Sequence, residues 1–305
     1  MGETYERGRF YIGPNGFPRF AGSASGVYFA DTVQTEIGPS PHDQSSTGIE
    51  EAFIGRTNND EPRAAEAHFY SQYLLQTADL KHGEALRSRL TTYFATWHPL
   101  FPFLDGAYLL QCFNSAVAMA DHTEGAAGRQ AFEGLKEEEA LVLSAIMMAV
   151  FSIGGGKSDQ QLPLLRGTSH ATMLAHLILG AVQNSSINDL FAIQGLVAIE
   201  LYLFTTRTLR PAMHLSGTIT KLAYEAGLHR CPNRFATTFK SAPDRELRRR
   251  VFYTLYVLDR LLSAEFGIPL MLNDNDVDTC IPGAKERHDP AETPPDHPAR
   301  TPVSP

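Results

Sequence analysis

The chain holds 305 residues, 43% apolar and 20% charged, a globular balance that excludes a collagen-like repeat and wholesale disorder. Its 26 basic residues face 34 acidic ones, a formal net charge of -8, which excludes a dedicated basic nucleic-acid-binding domain. Cys112, Cys231 and Cys280 are far apart and odd in number, so they read as small buried side chains of a reducing compartment, not as a disulfide scaffold.

Along the chain, Met1 to Phe10 carries Glu3, Glu6, Arg7 and Arg9 and no apolar stretch, so no secretory signal is expected. Residues 1–60 are rich in Gly, Pro, Ser and Asn, with the strongest turn signal at Gly13-Pro14-Asn15-Gly16. They are expected to form an extended arm or linker lying on the rest, with at most a short strand. From Pro62 the texture changes, and the Ala, Leu, Gln and Glu of 64–80 predict a helix. A second helix is predicted over Glu84–Thr96, stopped by Pro99 and Pro102. Asp105 then caps a helix to about Ala120.

Glu137, Glu138 and Glu139 place negative charge before the apolar run Ala140–Ile153, where it complements a helix dipole. That run is apolar all round and predicts a helix buried on most sides, ended by Gly154, Gly155 and Gly156. Further helices are expected over Leu162–Val182, Ile187–Thr205 and Arg210–Ala226, the last followed by a glycine stop at Gly227. Asp244 is the expected N-cap of a helix to about Ser263. Its stripe is Leu247, Val251, Leu255, Leu258 and Leu262, with Arg245, Arg248, Arg249 and Arg250 on a solvated face, some of them paired to acids. No apolar run reaches the ~18 residues of a membrane span. A soluble, intracellular, all-α protein of about eight helices is expected. Its parts are the arm at 1–60, one helical domain at 61–287 and a disordered proline-rich tail at 288–305.

Motifs that would carry catalysis fail on inspection. Gly154-Gly155-Gly156-Lys157-Ser158 ends like a phosphate loop, but Phe151 stands where that pattern needs its first glycine. Asp274, Asp276 and Asp278 alternate as in a calcium loop, but Thr279 and Lys285 occupy the positions of its glycine and glutamate. No two cysteines share a metal-like spacing, and His68, His82, His98 and His122 follow no zinc pattern. Gly22-Ser23-Ala24-Ser25-Gly26 has Ala24 where a nucleophile elbow needs serine. Glu200 lies on an apolar helix, where burial would raise its pKa; an arginine, histidine or helix end is its expected partner. The residues therefore predict no enzyme, no metal and no cofactor.

A family signature is clearer. Ala223-Tyr224-Glu225-Ala226-Gly227-Leu228-His229-Arg230 resembles the A-x-x-x-G-L-H-R helix end of the middle homology region of fungal zinc-cluster transcription factors. Arg245 to Arg260 is similar to that family's E-x-x-R-R-x-F-W-x-L-Y-x-L-D-R helix, with Tyr253 replacing the frequent tryptophan. Ser263, Gly267, Pro269, Asp274, Asp276, Asp278 and Pro282 match its following turn and acidic stretch, and His98 to Leu104 its H-P-x-x-P-F-L entry. Arg9 to Pro14 and Ser23 to Val27 resemble the segment before it.

The resemblance implies a regulatory domain acting in the nucleus, C-terminally incomplete. Its structural motif residues would be His229, Arg230, Arg249, Asp259, Arg260, Gly267, Pro269 and Asp276, with Asp259 paired to Arg249 or Arg230. The implied partners are proteins (a coactivator, a dimer partner or further domains of the factor) and a small effector, with no membrane. Zinc and DNA would be bound through a six-cysteine cluster that these residues do not contain. The rival expectation is a stand-alone helical interaction or ligand-binding protein that dimerises with, or competes against, a full-length factor.

Overall fold

The computed structural model describes residues 8–12, 16–22, 83–121 (backbone only for 115–121), 136–155, 164–183, 188–283 and 288. The expected helix over 64–80, the arm between 23 and 60, the Gly156–Ser158 stretch and the tail beyond His288 lie outside them.

Seven α-helices make up the described fold. α1 (Gly83–Thr96) buries Leu86, Leu90 and Tyr93, one helical face at offsets 0, 4 and 7. It packs on α3 (Glu137–Ile153), and the Trp97–Phe101 turn leads into α2 (Gly106–Asp121). Asp105 caps α2 as expected, its Oδ1 accepting the Ala107 and Tyr108 N–H groups at 3.0 and 3.1 Å. α3 is buried continuously from Ala140 to Phe151.

α4 (Gly167–Gln183) starts five residues later than the sequence predicts. The reason is a set of side-chain claims on its leading backbone: Ser152 Oγ accepts the Leu165 N–H, and Tyr202 OH donates to the Leu165 carbonyl. Those groups are then satisfied outside a helix. α5 (Asp189–Thr205), capped by the Asn188 side chain, touches α3, α4, α6 (Leu209–Glu225) and α7 (Ala242–Phe266), so it forms the centre. Gly195 lets it close on α3, because a Cβ there would lie 2.8 Å from Val142 Cγ1.

α6 ends as predicted. Gly227 is left-handed at φ 66° and the Leu228 N–H returns to the Ala223 carbonyl at 2.9 Å. α7 is capped by Ser241, not Asp244: the Ser241 hydroxyl accepts the Asp244 N–H, which puts Asp244 in the first turn. The helix also continues three residues past Ser263, to a left-handed Gly267.

The arm contributes a two-stranded antiparallel hairpin, β1 (Arg9–Ile12) and β2 (Pro18–Ala21), with Arg9 opposite Ala21. Phe10 meets Phe235 and Phe239 edge-on, both at 4.9 Å between ring centroids, and Phe20 meets His229 at 5.0 Å. Gly227 makes room for this, since a Cβ there would sit 2.4 Å from the Phe10 ring. Among the described residues the fold is all-α apart from this hairpin. None of its described helices is long and apolar enough to cross a membrane.

Candidate functional site

The motif residues converge where the end of α6, the body of α7 and the segment 268–283 meet the hairpin. α7 carries the arginines, and the structure corrects the reading of them as a solvated face. Arg248 is 6% exposed and Arg249 9%. Arg248 donates to the Ala226 carbonyl at the end of α6 and lies over the Phe239 ring at 4.1 Å. Burial pushes its pKa down to about 10, and the Asp244 and Asp189 carboxylates oppose that fall, so it stays charged at neutral pH. Arg245 spans Asn233, the Phe239 carbonyl and the Lys240 carbonyl, and Arg250 reaches the Leu104 carbonyl at 3.5 Å. Arg249 pairs with Glu246 one turn earlier. Arg248 and Arg250 thereby tie α7 to segments far away in sequence, and Arg245 ties it to the stretch just before it.

Asp259 is buried, but neither Arg249 nor Arg230 is its partner. Its carboxylate accepts the backbone N–H groups of Met271 and Leu272, both at 3.1 Å, and the Arg260 guanidinium at 3.1 Å. Arg260 is the neighbour that curls back. It also donates to the Leu272 carbonyl and to Asp274, and it lies 3.3 Å from the centroid of the Tyr256 ring. Arg230 instead sits over the Phe20 ring at 5.7 Å. Gly267 supplies the left-handed turn after α7, and the Pro269 carbonyl accepts the Ser263 hydroxyl at 3.4 Å. Asp276 is exposed on a short 3-10 turn, Asp274–Asp276.

His229 is buried between Phe20 and Tyr224, and its carbonyl accepts the Asp278 N–H at 3.1 Å. Burial, then the adjacent Arg230, lowers its pKa to about 4, against the pull of Asp278, so the ring is neutral and acts as packing. The three alternating aspartates do not converge as in a calcium site. Asp274 goes to Arg260 and Tyr256, Asp276 faces solvent, and Asp278 goes to Arg234 and the Cys231 N–H.

Two features lie apart from this junction. Glu200 is fully buried on α5, and burial raises its pKa to about 8. The groups bearing on it are the Ser216 hydroxyl of α6, which lowers the value, and the Asp259 carboxylate of α7, which raises it. Among the described residues no arginine or histidine bears on it, contrary to two of the three expected partners. The second feature is a pocket of about 200 Å³ beside the start of α2, where Leu104, Tyr108, Ile146, Phe191 and Leu247 form the wall and Asp105 and Gln194 supply polar groups. Gln194 is fixed by its Nε2 donating to the Phe103 carbonyl at 2.7 Å. Helix periodicity could not reveal this pocket, because its walls come from four separated segments.

Comparison with known proteins gives one consistent outcome. The family described as the fungal specific transcription factor domain matches residues 90–301. The chain is 29% identical over 304 residues to the probable transcription factor FUP6 of Fusarium proliferatum, covering 93% of this chain and 42% of that protein. It is 27% identical over 270 residues to the transcriptional activator protein acu-15 of Neurospora crassa, covering 86% and 25%. The regulatory protein CAT8 of Saccharomyces cerevisiae is 23% identical over 217 residues, covering 65% and 15%. The chain thus spans less than half the length of these relatives. No solved structure matches it.

Proposed function

The chain belongs to the fungal specific transcription factor domain family, and from that premise we propose that it is a regulatory module of transcription acting in the nucleus. The module works through contacts with proteins or a small effector, without catalysis. DNA is read by a separate zinc-binding segment, since three cysteines cannot supply a six-cysteine cluster.

One observation carries this reading. The only cationic cluster legible in the sequence, on α7, is spent on carbonyls, aromatic rings and carboxylates of the fold itself. A phosphate-contacting surface needs exposed cations that release counterions on binding, and Arg248 and Arg249 are not exposed. The pocket between α2, α3, α5 and α7 supports the effector half of the reading. Its volume of about 200 Å³ lies below the ~300–1,000 Å³ of drug-sized sites, which suits a small, largely apolar compound.

Two measurements test the proposal. The purified chain, titrated with duplex DNA across a salt series, is expected to bind without the steep salt dependence of a phosphate reader. Fused to an unrelated DNA-binding module, it is expected to change transcription of a reporter in fungal cells. Tight, salt-sensitive DNA binding by the chain alone, or a fusion indistinguishable from the bare module, would overturn the reading.

A further inference from the structure

Cys231 and Cys280 stand 49 positions apart in the chain, but their sulfurs are 3.6 Å apart, and Cys280 Sγ is 3.6 Å from His288 Nδ1. All three donor atoms lie within 4.8 Å of one another. Cys231 is fully buried, Cys280 is 5% exposed and His288 is half-buried at the outer edge of the group. Two thiols and an imidazole are thus gathered on one point, Cys231 from the stretch after α6 and Cys280 and His288 from the segment after α7.

These spacings match a particular occupant. Tetrahedral zinc, with Zn–S near 2.3 Å and Zn–N near 2.0–2.1 Å, needs sulfur–sulfur edges of about 3.8 Å and sulfur–nitrogen edges of about 3.6 Å. Two of the three edges already have those lengths to within a few tenths of an ångström, and a small turn of one side chain closes the third. We propose that Cys231, Cys280 and His288 form a binding site for a thiophilic divalent cation, zinc above all, separate from any cysteine cluster that reads DNA.

The surroundings suit the metal. The backbone N–H groups of Cys280 and Asn233 favour a thiolate at Cys231, against the burial that pushes this thiol up to about 11. Zinc entering as a dication displaces both thiol protons to solvent, and the product, two thiolates with a neutral imidazole, carries no net charge. A neutral complex is the form a buried position tolerates. The half-buried imidazole marks the entrance, and three protein ligands leave a fourth position for water. Around the group, the Cys231 N–H donates to Asp278 at 2.7 Å, Asp278 pairs with Arg234, and the Thr279 hydroxyl donates to the Leu228 carbonyl at 2.9 Å. The metal would lock the segment after α7 onto the end of α6, where these bonds already hold it.

The test uses the reduced 305-residue chain, stripped with a chelator and titrated with zinc against a chromophoric competitor, then with cobalt(II). One equivalent of metal per chain, a thiolate-to-cobalt charge-transfer band and a metal-dependent rise in Tm are expected. Cys280→Ser and His288→Ala should each weaken zinc binding by about 10–100-fold, whereas Cys112→Ser should leave it unchanged. His288→Ala is decisive because that residue is half-buried and near the end of the described chain, so its loss spares the core. Uptake insensitive to both substitutions would mean adventitious binding by other histidines and would overturn the proposal. So would a cobalt spectrum without a thiolate band, or a Cys231–Cys280 disulfide in fresh lysate from a chain that takes up no metal once reduced.

Discussion

The Asp259 carboxylate and the Leu272 backbone N–H, thirteen positions apart, meet at 3.1 Å in a buried bond that turns the chain back along α7. The same carboxylate takes the Met271 N–H at the same distance, so two successive amides converge on one side chain. Removing it strands both donors and takes one of several partners from the Arg260 guanidinium. Asp259→Ala is expected to cost about 2–4 kcal/mol, and Asp259→Asn, which keeps one acceptor oxygen, about half as much. Urea unfolding of the three chains checks this. An Asp259→Ala chain as stable as its parent would mean the turn is held from elsewhere.

Arg248 separates a buried cation from an exposed one. Arg248→Met removes the donor to the Ala226 carbonyl and the contact with Phe239, and should cost about 2–4 kcal/mol. Arg248→Lys should recover little of this, because an ammonium cannot both fork to the carbonyl and lie flat on the ring. Arg207→Ala breaks an exposed pair with Glu265 at 3.1 Å, and a change within about 0.5 kcal/mol is expected. Thermal unfolding of the set decides, and equal losses at positions 207 and 248 would contradict the assignment.

Glu200 makes stability depend on pH with a definite sign. An unfolded glutamate titrates near 4.5, whereas the native chain holds this proton up to about 8. Between those values the native state binds more protons than the unfolded state, so stability falls as pH rises through the window. Ser216 on α6 and Asp259 on α7 face it, and Asp259 adds to the penalty on the charged form. Glu200→Gln should flatten the profile and exceed its parent by about 2 kcal/mol at the alkaline end. Denaturant midpoints from about pH 5 to about pH 9 provide the measurement. Parallel profiles would show that Glu200 is not the titrating group.

Gly227 and Gly267 share nearly the same left-handed φ, 66° and 64°, but differ in their surroundings. Alanine at Gly267 meets open space and should cost only the backbone strain, about 1 kcal/mol. At Gly227 the new methyl also collides with Phe10 and Phe20, so a loss about 1–2 kcal/mol larger is expected. The excess should shrink in a Phe10→Ala background, where only the contact with Phe20 Cβ remains, a double-mutant cycle that links the end of α6 to the hairpin. Additive losses would place the hairpin elsewhere in solution.

Much of the fold was legible because helices announce themselves locally. The Asp105 cap, the apolar run of α3 and the Gly227 stop are each written in a few adjacent residues. The start of α4 slipped because distant side chains claim the backbone, Ser152 and Tyr202 holding Leu165 out of the helix, whereas the end of α7 is set by the left-handed Gly267 that directly follows it. The arginine face was misread for a related reason. A residue off the apolar stripe of a helix is assigned to solvent, yet Arg248 points at the Ala226 carbonyl that ends another helix. The cysteines show the same limit, since a separation of 49 positions carries no sign that two sulfurs will be 3.6 Å apart.

The central position of α5 governs how this module moves. A helix with no wet side cannot fray into solvent by itself, because each of its faces is another helix's support. Its amides can exchange with deuterium only when the whole module opens, and their exchange rates therefore report global unfolding directly.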